Sequence, residues 1–252
     1  MMLGLEFPPI SHLFEWPDFA FQGTPLAMNK TVLIYLAAMA LTVGLFLIAG
    51  ARKSLVPTGL QTIAESGIDF VDSSVVKPTM SVGGEKFMPF LTSLFFFIFF
   101  INIFEVIPFV QFPGNARMAM PLLLAVVVWL IYNYQGFKNQ GLGYIKSSLF
   151  PPGVPKLLYI LVTPIELLQV LVIKPASLAI RLWANMVAGH LLLVTFAVLS
   201  AALWESTYVG AIAPFAVLIL MTGFEILVSF LQAFIFTILT AVYIDGAVHP
   251  EH

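Results

Sequence analysis

Long stretches of apolar residues without charge constrain this chain more than any other feature of its sequence. Residues 31–50 contain no Asp, Glu, Lys or Arg, and residues 208–243 contain one charged side chain, Glu225. A helix of about 20 apolar residues crosses a membrane, whereas a membrane β-strand has about 10 residues of alternating polarity. Because the apolar runs are continuous, the sequence predicts an all-α integral membrane protein with about five membrane helices.

The composition agrees with this class and excludes several others. Hydrophobic residues make up 60% of the 252 residues and charged residues 10%, against about 45–50% and about 25% in soluble domains. A net charge of −2 offers no basic surface for nucleic acid. There is no cysteine, no second intramembrane histidine for haem ligation, and no phosphate-binding or protease motif. We therefore predict no catalytic residue, no cofactor and no metal in this chain.

Breaks between the apolar runs divide a single membrane domain into segments. Before the first span, prolines and aromatic residues form a lead-in on the outer side of the membrane. After the first span, polar residues at helical spacing predict an amphipathic helix on the membrane surface. The predicted segments are the lead-in 1–30, span one 31–50, the surface helix 54–88, span two 89–110, span three 118–134, and two long stretches, 157–203 and 208–243.

The last two stretches are too long for upright spans. A helix of 36 residues, the length of the second, extends about 54 Å, against a hydrocarbon core of about 30 Å. Each stretch is therefore either two spans or one tilted or kinked helix. Gly210, Pro214 and Gly223 offer little punctuation for an internal turn. The sequence thus favours a long, strongly tilted helical hairpin with its turn at residues 204–207.

The distribution of lysine and arginine predicts the orientation of five crossings. Basic residues are enriched in cytoplasmic loops. Five crossings place seven lysine and arginine residues on one side of the membrane and two on the other. We therefore expect the N-terminus outside, the C-terminus in the cytoplasm and, without a transit segment, a bacterial plasma membrane. The outer pair is Lys30 and Arg117, and the inner set is Arg52, Lys53, Lys77, Lys86, Lys138, Lys146 and Lys156.

Ionisable residues within the spans are the candidate functional residues, because a central charge costs about 2.5–3.5 kcal/mol even on insertion scales. Arg181 has apolar neighbours on both sides, and His190 lies about 180° from it around a helix. At steps of three and four, Arg181 shares a polar stripe with Lys174, Ser177 and Asn185. Helical periodicity predicts a second stripe in the last stretch, formed by Glu225, Ser229, Gln232, Thr240 and Tyr243.

Structural roles are an alternative for each of these residues. Arg181 would then be a static partner of Glu225 or Glu166 that fixes helix packing. Lys174 would extend its amine to the membrane interface. Interior hydrogen bonds and interhelical contacts would account for the remaining polar groups, namely His190, Asn185 and Gln232.

Two blocks of sequence resemble subunit a of the F-type ATP synthases. They are residues 177–190, SLAIRLWANMVAGH, and residues 231–243, LQAFIFTILTAVY. The segment NIFEVIP, with Asn102 and Glu105 three residues apart, resembles a signature of the family's third helix. On their own, these two residues mark either a proton route on one helix face or a solvated helix end. The resemblance extends over most of residues 31–245.

The resemblance implies a proton-translocating stator subunit that contributes two half-channels. Its partners would be the c-ring, b-type peripheral-stalk subunits and the lipid bilayer, with nucleotide chemistry on other subunits. By position, Arg181 resembles the arginine that faces the c-ring, and His190 and Glu225 resemble the histidine–glutamate pair of the entry half-channel. The remaining candidate channel or interface residues are Asn102, Glu105, Lys174, Ser177, Asn185, Ser229, Gln232 and Tyr243.

A second function stays open on the residues alone. A self-contained proton- or anion-coupled transporter would also use an intramembrane couple such as Arg181 and Glu225. A synthase subunit is expected to co-purify with a c-ring and soluble nucleotide-binding subunits, whereas a transporter is self-sufficient. The polar stripes argue against a third class, a non-transporting scaffold, which has no need of Arg181.

Overall fold

A computed structural model describes residues 17–24, 27–51, 58–80, 83–108, 110–150, 155 and 158–249. Apart from one β-bridge between Ala20 and Met28, the regular structure of these residues is helical. Five helical segments among them are long and apolar enough to cross a membrane. The predicted all-α membrane fold with about five spans is thereby confirmed. Outside the described residues lie the first sixteen residues of the predicted lead-in and three of the counted basic residues, Arg52, Lys53 and Lys156.

Eight α-helices of seven or more residues follow one another in the described part of the chain. They are α1 (Lys30–Ala51), α2 (Leu60–Val71), α3 (Met88–Ile103), α4 (Ala119–Gln140), α5 (Gly143–Leu149), α6 (Tyr159–Leu168), α7 (Lys174–Ser206) and α8 (Tyr208–Val248). Two π-helical turns, Asp72–Val76 and Gln169–Ile173, extend α2 and join α6 to α7.

The chain divides into two compact units. The first unit comprises Met1–Gly44, Phe97–Arg117 and Trp183–Gln232, and the second comprises Leu45–Phe96, Met118–Leu182 and Ala233–His252. Large apolar side chains are fully buried in both, such as Ile101 in the first unit and Phe236 in the second.

Within the predicted surface segment 54–88 lies helix α2, which the π-helical turn Asp72–Val76 and a short α-helix, Lys77–Thr79, extend. It packs on α3 within the second unit, where the ring centroids of Phe70 and Phe95 are 5.6 Å apart. On its exposed side, the Lys77 amine lies 2.6 Å from the Asp72 carboxylate, and this hydrogen bond raises the pKa of Lys77. The left-handed residue Gly83 (φ 95°) then separates this helix from the next span.

Two spans differ in length from their predicted bounds. Helix α3 ends at Ile103, seven residues before the predicted end of span two. Pro108 prevents a helix from reaching residue 110, because proline has no N–H to donate and disfavours helical backbone in the residue before it. Helix α4 continues six residues beyond the predicted end of span three, to Gln140, where Gly141 with φ 58° terminates it.

The last two stretches are single long helical segments with one turn, as predicted. Helix α8 has 41 residues and passes through Pro214 without a break, so it is about 62 Å long. The turn is shorter than predicted, because α7 continues to Ser206 and Thr207 alone separates it from α8.

The π-helical turn before α7 was not predicted. In the second unit, the Val170 carbonyl in this turn accepts hydrogen bonds from Trp129 Nε1 and the Tyr132 hydroxyl, both at 2.9 Å. A π-turn disrupts the regular i to i−4 ladder, and donors from α4 satisfy the carbonyl at Val170.

Candidate functional site

A cavity of about 300 Å³ in the first unit contains two of the predicted site residues, Glu105 and His190. We call it the Glu105 cavity. Its volume admits several water molecules, at about 30 Å³ for each. Other side chains in its wall include Gln111, Phe112, Leu218 and Thr222.

Glu105 and His190 are close neighbours in this cavity. His190 Nδ1 lies 3.3 Å from Glu105 Oε1, and the two residues are 7% and 1% exposed. Within the described residues, neither Glu105 oxygen has a hydrogen bond of good geometry. A carboxyl and an imidazole placed in this way can exchange a proton directly or through water.

Glu225 reaches the same part of α7 from α8. Its carboxylate lies against Gly189, the residue before His190, and a Cβ at position 189 would collide with it. The sequence prediction paired His190 with Glu225 alone, whereas the carboxylate in contact with the imidazole is that of Glu105.

Asn102 and Glu105 are not at a solvated helix end, so that alternative is wrong. Asn102 is 3% exposed, and Glu105 is almost completely buried. They also do not share a helix face, because α3 ends at Ile103 and Glu105 lies in the turn that follows. The backbone N–H of Glu105 donates to the Asn102 carbonyl at 3.1 Å.

The loop of residues 110–117, which supplies Gln111 and Phe112 to the cavity wall, is held by hydrogen bonds. Irregular backbone at membrane depth is stable where protein groups satisfy it or where it lines a cavity. Within the loop, the fully buried Asn115 donates to Asn102 Oδ1 at 2.8 Å. Three other side chains donate to loop carbonyls at 2.7–2.8 Å: Lys30 to Val110, Tyr35 to Gly114, and Trp183 to Ala116.

Replacing Trp183 by phenylalanine tests this anchoring. The change removes the donor to the buried Ala116 carbonyl, and we expect a loss of about 1–3 kcal/mol in stability. Thermal unfolding of the detergent-solubilised protein, followed by circular dichroism, measures the effect. Trp204→Phe is the matched control, since Trp204 is 59% exposed. Equal effects of the two substitutions would contradict the role of the Trp183 hydrogen bond.

Asn185 and Gln232 join α7 to α8 in the first unit. Asn185 Nδ2 donates to Gln232 Oε1 at 2.6 Å, and Gln232 is 2% exposed. The Gln232 Nε2 group has no hydrogen-bond partner within the described residues. Ser229 is buried on the same helix, one turn before Gln232. The interhelical contact considered from the sequence is therefore present, and one amide donor remains for a further partner.

Arg181 lies in the second unit, and its side chain is exposed in the isolated chain. In the described part of that unit it forms no ion pair, so Glu166 is not its static partner. A guanidinium on a membrane helix is costly without a counter-charge.

A second cavity, of about 340 Å³, lies within the second unit and contains Glu166, Lys174 and Tyr243. We call it the Glu166 cavity. The Lys174 amine lies over the Tyr243 ring, 5.5 Å from its centroid, and Lys174 is half-buried. Lys174 thus contributes to a polar cavity rather than simply extending along an apolar surface. Ser177, on the next turn of α7, is half-buried and does not line this cavity.

Sequence reasoning missed several residues of the Glu166 cavity. Reasoning from the sequence names Glu166 only as a possible partner of Arg181. An ionisable group in a predicted span is, however, itself a signal of function. Tyr132, which is 2% exposed, was not among the candidate residues. No sequence pattern marked the other polar lining residues, Tyr144, Ser147 and Ser148. Among the residues that the structure describes, no three His, Asp or Glu side chains form a group able to hold a metal.

Comparison with known proteins shows the family. A family model described as ATP synthase A chain matches residues 32–245. ATP synthase subunit a of Frankia alni is 39% identical, with 97% of this chain and 87% of the relative covered. The corresponding protein of Parafrankia sp. is 42% identical, with 93% of this chain and 80% of the relative covered. That of Maricaulis maris is 36% identical, with 97% of this chain and 98% of the relative covered. This chain belongs to the ATP synthase A chain family of multi-pass membrane proteins.

Proposed function

We propose that this chain is the proton-translocating stator subunit in the membrane sector of an F-type ATP synthase. The observation that carries the proposal is Arg181, a permanent charge on an apolar helix, exposed and without an ion pair in the described part of its unit. The match to the family over residues 32–245 supports it. Arg181 would face the carboxylates of a rotating c-ring.

Protons would enter through the Glu105 cavity. Glu105, His190 and Glu225 are titratable groups in one unit, and two of them are 3.3 Å apart. They would relay protons toward the ring surface, where Asn185 and Gln232 would line the interface. A ring carboxylate that accepts a proton becomes neutral and can turn into lipid, because the desolvation cost of its charged form is removed.

Protons would leave through the Glu166 cavity after nearly a full rotation of the ring. Along α7, Lys174 at this cavity is seven residues from Arg181, about 10 Å along the helix axis. His190 at the entry cavity is nine residues from Arg181 in the other direction, about 14 Å along the axis. Such an offset gives each half-channel its own access to the ring. Every charge that moves down 100 mV releases about 2.3 kcal/mol, and several of them would drive ATP synthesis on other subunits.

The chemistry of arginine suits the position that separates the two routes. A guanidinium is effectively never deprotonated in a protein, so it attracts an ionised ring carboxylate and assists release of its proton. Its fixed charge also opposes direct passage of protons between the half-channels. A buried lysine can lose its proton, and would be a leakier barrier.

The proposed arrangement has the N-terminus outside and the C-terminus in the cytoplasm of a bacterial plasma membrane. The excess of lysine and arginine on one side supports this orientation. The Glu166 cavity would then open toward the cytoplasm. Peripheral-stalk subunits of the b type would hold the chain against the torque of the ring.

Purification from native membranes tests the function against the alternative of a self-contained transporter. We expect an affinity-tagged chain to co-purify with a c-ring and with nucleotide-binding subunits. In vesicles, this preparation should acidify the lumen when ATP is added outside. A chain that purifies alone and still moves protons or anions would contradict the proposal.

A further inference from the structure

A third cavity, of about 370 Å³, lies within the second unit and takes part in neither proposed half-channel. We call it the Lys86 cavity. Its charged lining consists of Lys86, Lys138, Asp245 and His249. These residues come from the turn before α3, the last turn of α4 and the end of α8, so three separate parts of the chain converge on it.

The charges in this cavity favour an anion. Lys86 and Lys138 form no ion pair or side-chain hydrogen bond with any other described residue. The Asp245 carboxylate is engaged by His249, whose Nδ1 lies 3.2 Å from Asp245 Oδ1. Two ammonium groups therefore have no charge partner of their own at one cavity, and lysine is a common ligand for phosphate.

The location of the cavity identifies the class of anion. Lys86 stands at the start of one membrane-spanning segment, and Lys138 and His249 stand at the ends of two others. The ends of such segments are expected where hydrocarbon gives way to headgroups. Apolar side chains of Met80, Phe87 and Val248 line the same cavity. A ligand with a phosphate and an adjoining apolar chain matches this combination.

We propose that the Lys86 cavity is a binding site for the headgroup phosphate of an anionic phospholipid. Lys86 and Lys138 would contact the phosphate, and the acyl chains would follow the apolar surface of the adjoining helices. Basic cavities between membrane helices are known to hold acidic headgroups. The site would attach a lipid to the stator independently of the proton routes, so it does not depend on the roles of Arg181, His190 or Glu225.

Photolabelling of the whole ATP synthase complex tests the site. The complex is reconstituted in phosphatidylcholine vesicles that contain a trace of phosphatidylglycerol with a diazirine in its acyl chain. Each of Lys86→Gln and Lys138→Gln should reduce labelling of peptides from the adjoining helices α3, α4 and α8 about fivefold, and the double substitution about 25-fold. Lys146→Gln is the matched control, because Lys146 lies on α5 in the same unit but does not line this cavity.

Competition and rescue make each outcome decisive. Excess unlabelled phosphatidylglycerol should suppress the labelling, and the Lys86→Arg/Lys138→Arg double substitution should retain it. Assembly of the glutamine variants into the complex, measured by native gel electrophoresis, excludes a simple failure to fold. Equal loss in Lys146→Gln, or no loss in the double glutamine variant, would overturn the proposal. Displacement of the label by inorganic phosphate alone would overturn the lipid assignment and indicate a soluble phosphate ligand.

Discussion

Replacement of Arg181 by alanine is expected to abolish ATP-driven proton pumping while the complex still assembles. Without the guanidinium, a ring carboxylate would keep its proton in the apolar surroundings and the ring would not turn. Assembly should persist, because Arg181 is exposed and forms no ion pair in the described part of its unit. Quenching of a pH-sensitive dye in inverted vesicles measures pumping, and native gel electrophoresis measures assembly.

Two further variants separate the charge of Arg181 from its packing. Ile180→Ala removes the adjacent exposed side chain of α7 and should leave pumping near normal. Arg181→Lys keeps a charge that can be lost on desolvation, so it should pump poorly and leak protons once the nucleotide-binding sector is stripped. Normal coupled pumping in Arg181→Ala would refute the proposed role.

Substitution of Gly189 by alanine is the second change with a large expected effect. A Cβ at this position would occupy the place of the Glu225 carboxylate, so the carboxylate must move away from the entry route. Misplacement of a reacting group by about 1 Å can cost about 100-fold in rate, and we expect proton translocation to fall about 10–100-fold. The rate of ATP-driven acidification in reconstituted vesicles gives this value.

The control and a double variant make this test specific. Gly223→Ala is the matched control, because no atom lies within 4 Å of a Cβ built there. Glu225→Gln should also slow translocation, but less severely than Arg181→Ala. Because Gly189→Ala and Glu225→Gln act on the same carboxylate, the double variant should be little slower than Glu225→Gln alone. Two results would show that Glu225 has only a packing role. One is an unchanged translocation rate in Gly189→Ala, and the other is a double variant whose fold-loss in rate is the product of the two single losses.

Continuous apolar runs made the helical architecture predictable from the sequence. A span of 20 uncharged residues has few alternatives in a membrane, and α1 begins and ends within one residue of the predicted 31–50. The hairpin was predictable for the same reason, since Pro214 and the nearby glycines offered too little punctuation for a turn. Candidate residues in the spans could be selected by their charge alone.

Contacts between distant segments were not predictable from periodicity. Glu105 and His190 are 85 positions apart, and Glu105 lies in a turn after α3, where no helical spacing relates it to α7. The buried loop of residues 110–117 depends on hydrogen bonds from residues such as Tyr35 and Trp183, which no local pattern connects. The π-helical turn before α7 likewise depends on donors from another helix.

A cryo-electron-microscopy map of the whole complex tests the central claim most directly. We expect the Arg181 guanidinium to face a carboxylate of the c-ring, with the entry and exit cavities reaching the ring on opposite sides of it. A guanidinium directed toward lipid, or bound to a carboxylate of its own chain and away from the ring, would contradict the proposed mechanism.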